Sequence, residues 1–384
     1  MRLSTRLIHG HGHEDPLGAV VPPIYVSAIH RFVDEGECSR SDRGVPYKYL
    51  REENPTVRAF ERVLGSIEGG ECVAFCSGMA AISAVIMAFA RRGGRVVALM
   101  EMYSTTIKLL EELSKLVGFE LVKAWPSTES VVEALSRGAD LVLVECMTNP
   151  TLKVLDVEEI AKAARDSGTT LVVDNTFTTP LLLRPLKLGA QVSIHSVTKY
   201  IAGHNDVLGG AAIASSDLWE RVWEWRRMLG TTMHPLEAYL AMRGAKTLEI
   251  RFEKQCRSAQ AVAEFLAEHP RIEEVHYPGL PSDPHHSLAK RLFERPLFGA
   301  VVSFKVRGGL EEAKKVLRKV RIVSPAPSLG GTESLISIPA LSAARYIDPE
   351  TRRRLGITEN LLRLSVGLED VNDIIEDLDQ ALQS

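Results

Sequence analysis

No apolar run in this chain is long enough to span a bilayer: the longest, AAISAVIMAFA, stops at RRGG. The opening stretch MRLSTRLIHGHGHEDP has no apolar core of the signal-peptide kind, so a cytoplasmic location is expected. An excess of one charge is also missing. With 46 Lys and Arg against 49 Asp and Glu, the formal charge is −3 and no basic run stands out. That removes any electrostatic reason to expect nucleic acid or an anionic membrane as a partner. Cysteine is scarce, with 5 residues at scattered positions, Cys38, Cys72, Cys76, Cys146 and Cys256. An odd, scattered set excludes the paired framework of a small secreted domain and predicts reduced thiols. There is no internal repeat and no low-complexity segment. What is present is a chain of 384 residues, 45% hydrophobic, able to bury a large core in two or three domains. Small-molecule work is the default expectation.

From residue 57 onward, helical and strand patterns alternate, which predicts an α/β fold: a mostly parallel sheet with helices on both faces. TVRAFERVLGSIEGG reads as a helix ending at glycine, CVAFC as a strand, GMAAISAVIMAFARRGG as a buried helix and RVVALM as the next strand. ADLVLVE, TTLVVDN, AQVSIH and GGAAIAS read as further strands, and DVEEIAKAARDSG as a helix opened by Asp156 and closed by Gly168. Near residue 230 long helical patterns take over, followed by VVSFKV and the closing helix VNDIIEDLDQALQ. The expected organisation is an N-terminal arm over 1–55, a main domain over 56–235 and a smaller C-terminal α+β domain over 236–384. The arm is rich in Gly, Pro and His and has few periodic segments, so it needs something to lie against, a partner subunit being one candidate.

In an open parallel sheet, functional groups gather beyond the carboxyl ends of the strands. Ser77, Gly78 and Met79 follow CVAFC, Tyr103 follows RVVALM, Asn149 follows LVLVE, Asp174 ends LVVD, and Ser196, Thr198 and Lys199 follow VSIH. Glycine at a helix start lets backbone N–H groups face a phosphate, and Ser196 and Thr198 can add hydroxyl donors. Tyr103 can stack on a flat heterocycle or pack half-buried. Asp174, beyond an apolar run, needs a cation or donor opposite it, for which a protonated pyridine nitrogen serves; a turn aspartate is the plainer alternative. Lys199 alone reads as a loop lysine. Together, a phosphate cradle, a stacking ring, a carboxylate for a ring nitrogen and a lysine amine are what pyridoxal 5'-phosphate requires. Two metal readings are weaker. Cys72 and Cys76 are four apart but lie on a strand pattern without a matching second pair, and alternating His9, His11 and His13 would share one face only if IHGHGHED were a strand.

The chain resembles the Cys/Met metabolism group of pyridoxal-phosphate enzymes of the fold-type I architecture. The motifs are GAVVPPIY, YLREENPTVRAFE, CSGMAAI, VDNTFTTP, HSVTKYIAGHNDVLGG, SLGGTESL and RLSVGLED, which together span nearly the whole sequence. The resemblance implies that Lys199 holds the cofactor covalently, that Asp174 pairs with the pyridine nitrogen, and that Tyr103 stacks on the ring and assists proton transfer. It implies a phosphate cradle of Gly78, Met79, Ser196 and Thr198, with Asn149 at the ring hydroxyl. Tyr49 and Arg51 would reach the cofactor phosphate of a neighbouring subunit, so at least a dimer is expected, within a pair of dimers. Ser328 and Arg363 would anchor the substrate α-carboxylate, with Tyr25 bordering the substrate pocket. Similar histidine-bearing openings occur in the group without metal, so no metal site is expected.

The resemblance is closest to the cystathionine γ-synthase and γ-lyase branch. Methionine γ-lyases commonly carry a cysteine just after the stacking tyrosine, where this chain has Ser104. The β-lyase branch tends to carry a tryptophan after the serine of SLGG. Two departures, PALSAARY in place of a Thr-His pair and Pro327 before Ser328, lie where the distal end of a substrate is expected. Cystathionine synthesis or cleavage is therefore the expectation. The alternatives are an O-acylhomoserine sulfhydrylase, a methionine γ-lyase, a pyridoxal-phosphate aminotransferase and a non-catalytic assembly protein with the same fold.

Overall fold

In the computed structural model, residues 1–12, 16–34, 36–215 and 217–383 are described. The chain is a mixed α/β protein with a central, mostly parallel sheet. Among the described residues there are twelve strands: β1 (Glu71–Phe75), β2 (Arg95–Leu99), β3 (Glu120–Ala124), β4 (Leu141–Glu145), β5 (Thr170–Asp174), β6 (Val192–Ser196), β7 (Gly210–Ala214), β8 (Ile272–His276), β9 (Val301–Val306), β10 (Ser324–Pro325), β11 (Leu335–Ser337) and β12 (Leu361–Ser365). The chain forms two compact units, Met1–Phe89 with Arg184–Glu249, and Ala90–Leu183 with Ile250–Ser384.

In the first unit β7 lies between β1 and β6, antiparallel to both. GGAAIAS is thus a strand, and its reversed direction is what periodicity could not show. The helix Pro55–Glu68 starts where Asn54 accepts from the N–H groups of Thr56 and Val57, with Pro55 preset for the first turn, and it stops at Gly69 with φ 92°. The helix Gly78–Phe89 is buried along most of its length, as an almost wholly apolar sequence requires. A buried ionic network ties the N-terminal arm to this frame. The Arg226 guanidinium donates to Glu61 Oε1 (2.9 Å) and to the Glu52 carbonyl (2.8 Å), while Arg43 pairs with Glu53 (2.7 Å) and Glu61 (2.9 Å). Charges this deep are tolerated because each has a partner.

The second unit contains the parallel set β5-β4-β2-β3. Its helix Val157–Asp166 is capped by Asp156, which accepts from the Glu159 N–H, and Gly168 follows at φ 68°. A second sheet runs in the order β10-β11-β12-β9-β8. Val302, Phe304, Leu362 and Leu364 from that sheet share a core with Val262 and Leu266 of the helix Leu248–Glu268 and with Ile374 and Leu378 of the helix Val371–Gln383. The closing helix is pinned by Asp377, whose carboxylate accepts from the N–H groups of Arg321, Ile322 and Val323.

Three features depart from, or add to, the sequence reading. His9 closes a helix, Leu3–His9, so the strand premise for the alternating histidines is not met; His13 lies outside the described residues. β3 and the helix Trp219–Leu229 give no clean stripe in sequence, the first because it is an edge strand carrying Glu120 and Lys123 and the second because tryptophans and charges are interleaved in it. All five cysteines are free thiols. Among the described residues no cluster of three or more His, Cys, Asp or Glu could hold a metal ion, and no helix is long and apolar enough to cross a membrane.

Candidate active site

In the first unit, the turn after β1 and the turn after β6 are brought together by two glycines. Gly210 on β7 pairs with Phe75 on one side and Ser196 on the other. A Cβ on Gly210 would stand 2.1 Å from the Ser77 carbonyl oxygen, and one on Gly78 would stand 3.1 Å from Ser196 Cβ and 3.2 Å from its hydroxyl. Without side chains at these points, the first turn of the helix Gly78–Phe89 comes up against Ser196. Ser77 Oγ accepts from the Ala80 N–H (3.1 Å), and Gly78 and Met79 sit half-buried at the helix start. Thr198 is stapled to the same strand: its hydroxyl accepts from the Gly209 N–H at 2.9 Å. Lys199 follows, half-buried, its N–H donating to the Ser196 carbonyl (3.1 Å) and its carbonyl accepting from Gly203 N–H (2.8 Å). Gly203 has φ 73°, so the turn after Lys199 needs the glycine. The start of the helix Gly78–Phe89 and the residues Ser196, Thr198 and Lys199 thereby lie at or just past the ends of β1 and β6, on either side of β7.

The arm residues lie at the surface of the same unit. Tyr49 is exposed; Arg51 donates to the Arg227 carbonyl (3.0 Å) and stands 5.2 Å over the Tyr49 ring. Tyr25 is held by its backbone, its N–H donating to Thr56 Oγ1 (2.8 Å) and its carbonyl accepting from Asn54 Nδ2 (2.8 Å), with the ring left partly exposed.

In the second unit, Tyr103 stands at the N-cap position of the helix Ser104–Leu113 and is 40% exposed, while Asp174 ends β5. Asp174 Oδ1 accepts from the Thr176 N–H (3.0 Å) and hydroxyl (2.6 Å), which fixes the carboxylate plane. Arg363 on β12 is buried; its Nη1 donates to Asn149 Oδ1 (2.9 Å) and its Nη2 to the Ser328 carbonyl (3.1 Å). Ser328 adopts φ 119°, a conformation a serine rarely takes, to aim that carbonyl.

One residue of this unit was not singled out in the sequence. Glu145, at the end of β4, is buried and stands in register with Asp174 on β5. Its Oε1 accepts from the Tyr103 N–H (2.8 Å) and its Oε2 from the Asn149 N–H (2.9 Å). Burial, and then the charge of Asp174, push the Glu145 carboxyl well above the usual range, against the opposing pull of the two N–H groups. The only sequence signal was a glutamate closing the apolar run LVLVE.

The model of the family described as Cys/Met metabolism PLP-dependent enzyme matches residues 4–383. Cystathionine beta-lyase of Coxiella burnetii is 38% identical over 387 residues, covering 99% of this chain and 97% of that protein. L-methionine gamma-lyase of Fusobacterium nucleatum subsp. polymorphum is 39% identical over 388 residues, covering 99% of this chain and 98% of that protein. Among solved structures, cystathionine gamma synthase from Xanthomonas oryzae pv. oryzae in complex with cystathionine superposes with a TM-score of 0.94 at 36% identity, over 100% of this chain and 98% of that one.

Proposed function

Because the chain belongs to the Cys/Met metabolism family of enzymes that use pyridoxal 5'-phosphate, we propose that it breaks or forms the Cγ–S bond of cystathionine, as a cystathionine γ-lyase or γ-synthase. The observation that carries the amino-acid part of this reading is the Arg363 guanidinium, buried and held at two points by Asn149 and by the Ser328 carbonyl. A planar fork fixed in this way suits an α-carboxylate bidentately. Ser104 after Tyr103 and the absence of tryptophan after Ser328 favour cystathionine over methionine and over the β-lyase reaction.

The residues fit the cofactor in kind. Gly78, Met79, Ser196 and Thr198 would hold its phosphate, the close Gly78–Ser196 approach leaving a cradle that a Cβ would fill. Asp174 would face the pyridine nitrogen, Tyr103 the ring, Asn149 the ring hydroxyl, and Lys199 would hold the aldehyde carbon covalently. When bound, pyridoxal phosphate supplies a conjugated ring that takes up the electrons of a broken bond at Cα. In this reading a substrate amine displaces the Lys199 amine, which would then take the proton from Cα, hand it on, and as a free amine again take one from Cβ, with Tyr103 assisting, so that sulfur can leave Cγ. Arg363, with Ser328, holds the carboxylate meanwhile, and Tyr25 borders the substrate.

Tyr49 and Arg51 act, in the same reading, on the phosphate of a neighbouring subunit in a homo-oligomer. The arm supports this: Leu17, Val20 and Val33 are 94%, 89% and 79% exposed, an apolar set that a second subunit would cover. The test is to add cystathionine to the cofactor-loaded protein and identify products by mass spectrometry, with Lys199→Ala as control. Cysteine and 2-oxobutanoate, absent in the control, are expected of the lyase; cystathionine formed from cysteine and an acylated homoserine is expected of the synthase. Neither product from a cofactor-loaded protein would overturn the proposal, and methanethiol from methionine would replace it.

A further inference from the structure

Glu145 touches neither ring nor carboxylate anchor with its own side chain, yet both hang on it. Each of its two carboxyl oxygens takes one backbone N–H, Tyr103's at 2.8 Å and Asn149's at 2.9 Å. Tyr103 is the cap of its helix, and Asn149 passes the constraint on, since Asn149 Oδ1 receives Arg363 Nη1 at 2.9 Å. Glu145 is buried, 6% exposed, so its carboxyl makes these bonds within the protein. We propose that Glu145 is a positioning residue: one buried carboxyl group sets the backbone at Tyr103 and at Asn149 together, and through Asn149 the guanidinium of Arg363.

The inference rests on reading Arg363 as the carboxylate anchor, and it adds a residue that acts only through others. Glu145→Gln preserves size while changing the acceptor count. The amide oxygen can take one N–H, but the amide nitrogen cannot take the other. One N–H then faces another, the amide turns to relieve the clash and both positions shift; a displacement of about 1 Å in a positioning group is worth up to about a hundredfold.

The experiment compares two amines on the cofactor-loaded protein, each followed by the change it causes in the cofactor's absorption. Glycine carries a carboxylate and methylamine does not. In Glu145→Gln the apparent Kd for glycine is expected to rise at least about tenfold more than that for methylamine, because both amines meet the ring beside Tyr103 and only glycine uses Arg363. In an Arg363→Ala background, Glu145→Gln should shift glycine only as much as methylamine, within about twofold, since the two act in series. A merely structural role would move both amines equally and follow the melting temperature. An equal shift, or no shift in a stably folded variant, overturns the proposal. If Glu145→Gln does not fold, Glu145→Asp, which keeps both acceptors but withdraws them by one methylene, is read in the same way. Neither amine is a sulfur substrate, so failure to act on cystathionine would sink the proposed function without touching this test.

Discussion

Replacing Gly210 by alanine tests the cradle directly. The new Cβ would lie 2.1 Å from the Ser77 carbonyl oxygen, 2.5 Å from the Ser77 carbonyl carbon and 2.7 Å from the Gly78 nitrogen. Ordinary contacts between such atoms need about 3.5 Å, so something must move by about 1 Å. Gly210 cannot yield, being bonded into β7 between Phe75 on β1 and Ser196 on β6. The Ser77–Gly78 turn must give way instead, displacing the first N–H groups of the helix Gly78–Phe89, which the proposed cradle would turn toward the cofactor phosphate. Overpacking of this kind costs about 1–3 kcal/mol in stability. The same displacement in a binding group predicts a loss of cofactor affinity between about tenfold and a hundredfold, or about 1.4–2.8 kcal/mol. The assay is titration of the cofactor-free chain with pyridoxal phosphate, followed by tryptophan fluorescence. Gly209→Ala is the control: its Cβ would meet Met233 Cε at 2.3 Å, the end of a buried but flexible side chain, and Val197 Cβ at 3.3 Å, which needs only a small shift, so an effect below about threefold is expected. A Gly210→Ala protein that binds the cofactor within about twofold of the unaltered chain, at an unchanged melting temperature, would refute the cradle argument.

Three further outcomes follow from the geometry. Arg226→Met removes the cation that donates to Glu61 and to the Glu52 carbonyl; breaking a buried pair costs about 3–5 kcal/mol, and for 384 residues that is a fall of about 4–6 °C in melting temperature by calorimetry. Asp377→Asn changes the pH response. Although burial pushes the Asp377 carboxyl up, the N–H groups of Val323, Ile322 and Arg321 hold it below its ordinary 3.8. Its contribution is therefore present above that value and lost as pH falls through the lower folded value, so the variant's melting temperature should be lower at pH 7 and flatter against pH in the acid range than the parent's. Ser328→Gly relieves a backbone conformation worth about 1–3 kcal/mol, offset by about 0.5–1 kcal/mol of glycine flexibility. It should melt slightly higher while binding glycine more weakly, because the carbonyl that steadies Arg363 is no longer held; equal or tighter glycine binding would contradict the anchor.

What the amino-acid sequence by itself determined is everything written in local chemistry. Asn54 followed by proline starts a helix and Gly69 stops it; Asp156 and Gly168 bracket another; apolar runs of strand length became β1, β2, β4, β5 and β6. These depend on capping groups and turn glycines a few residues apart, so they are legible without knowing where the chain goes next. Gly78 and Lys199 could be picked out as candidates from a helix start and a strand end, whereas Arg363 entered only through the resemblance of its motif. Tertiary structure alone decided the rest. GGAAIAS runs antiparallel because of which strands it pairs with, and that pairing is what makes glycine necessary at position 210. Glu145 meets Asp174 only through strand register, and it reaches the Tyr103 N–H across 42 residues of chain. Arg226 meets Glu61 across 165 residues, burying charges that composition would have placed at the surface. Local propensity has no access to such contacts, since their free energy exists only once distant segments have been brought within hydrogen-bonding distance and water has been removed from between them.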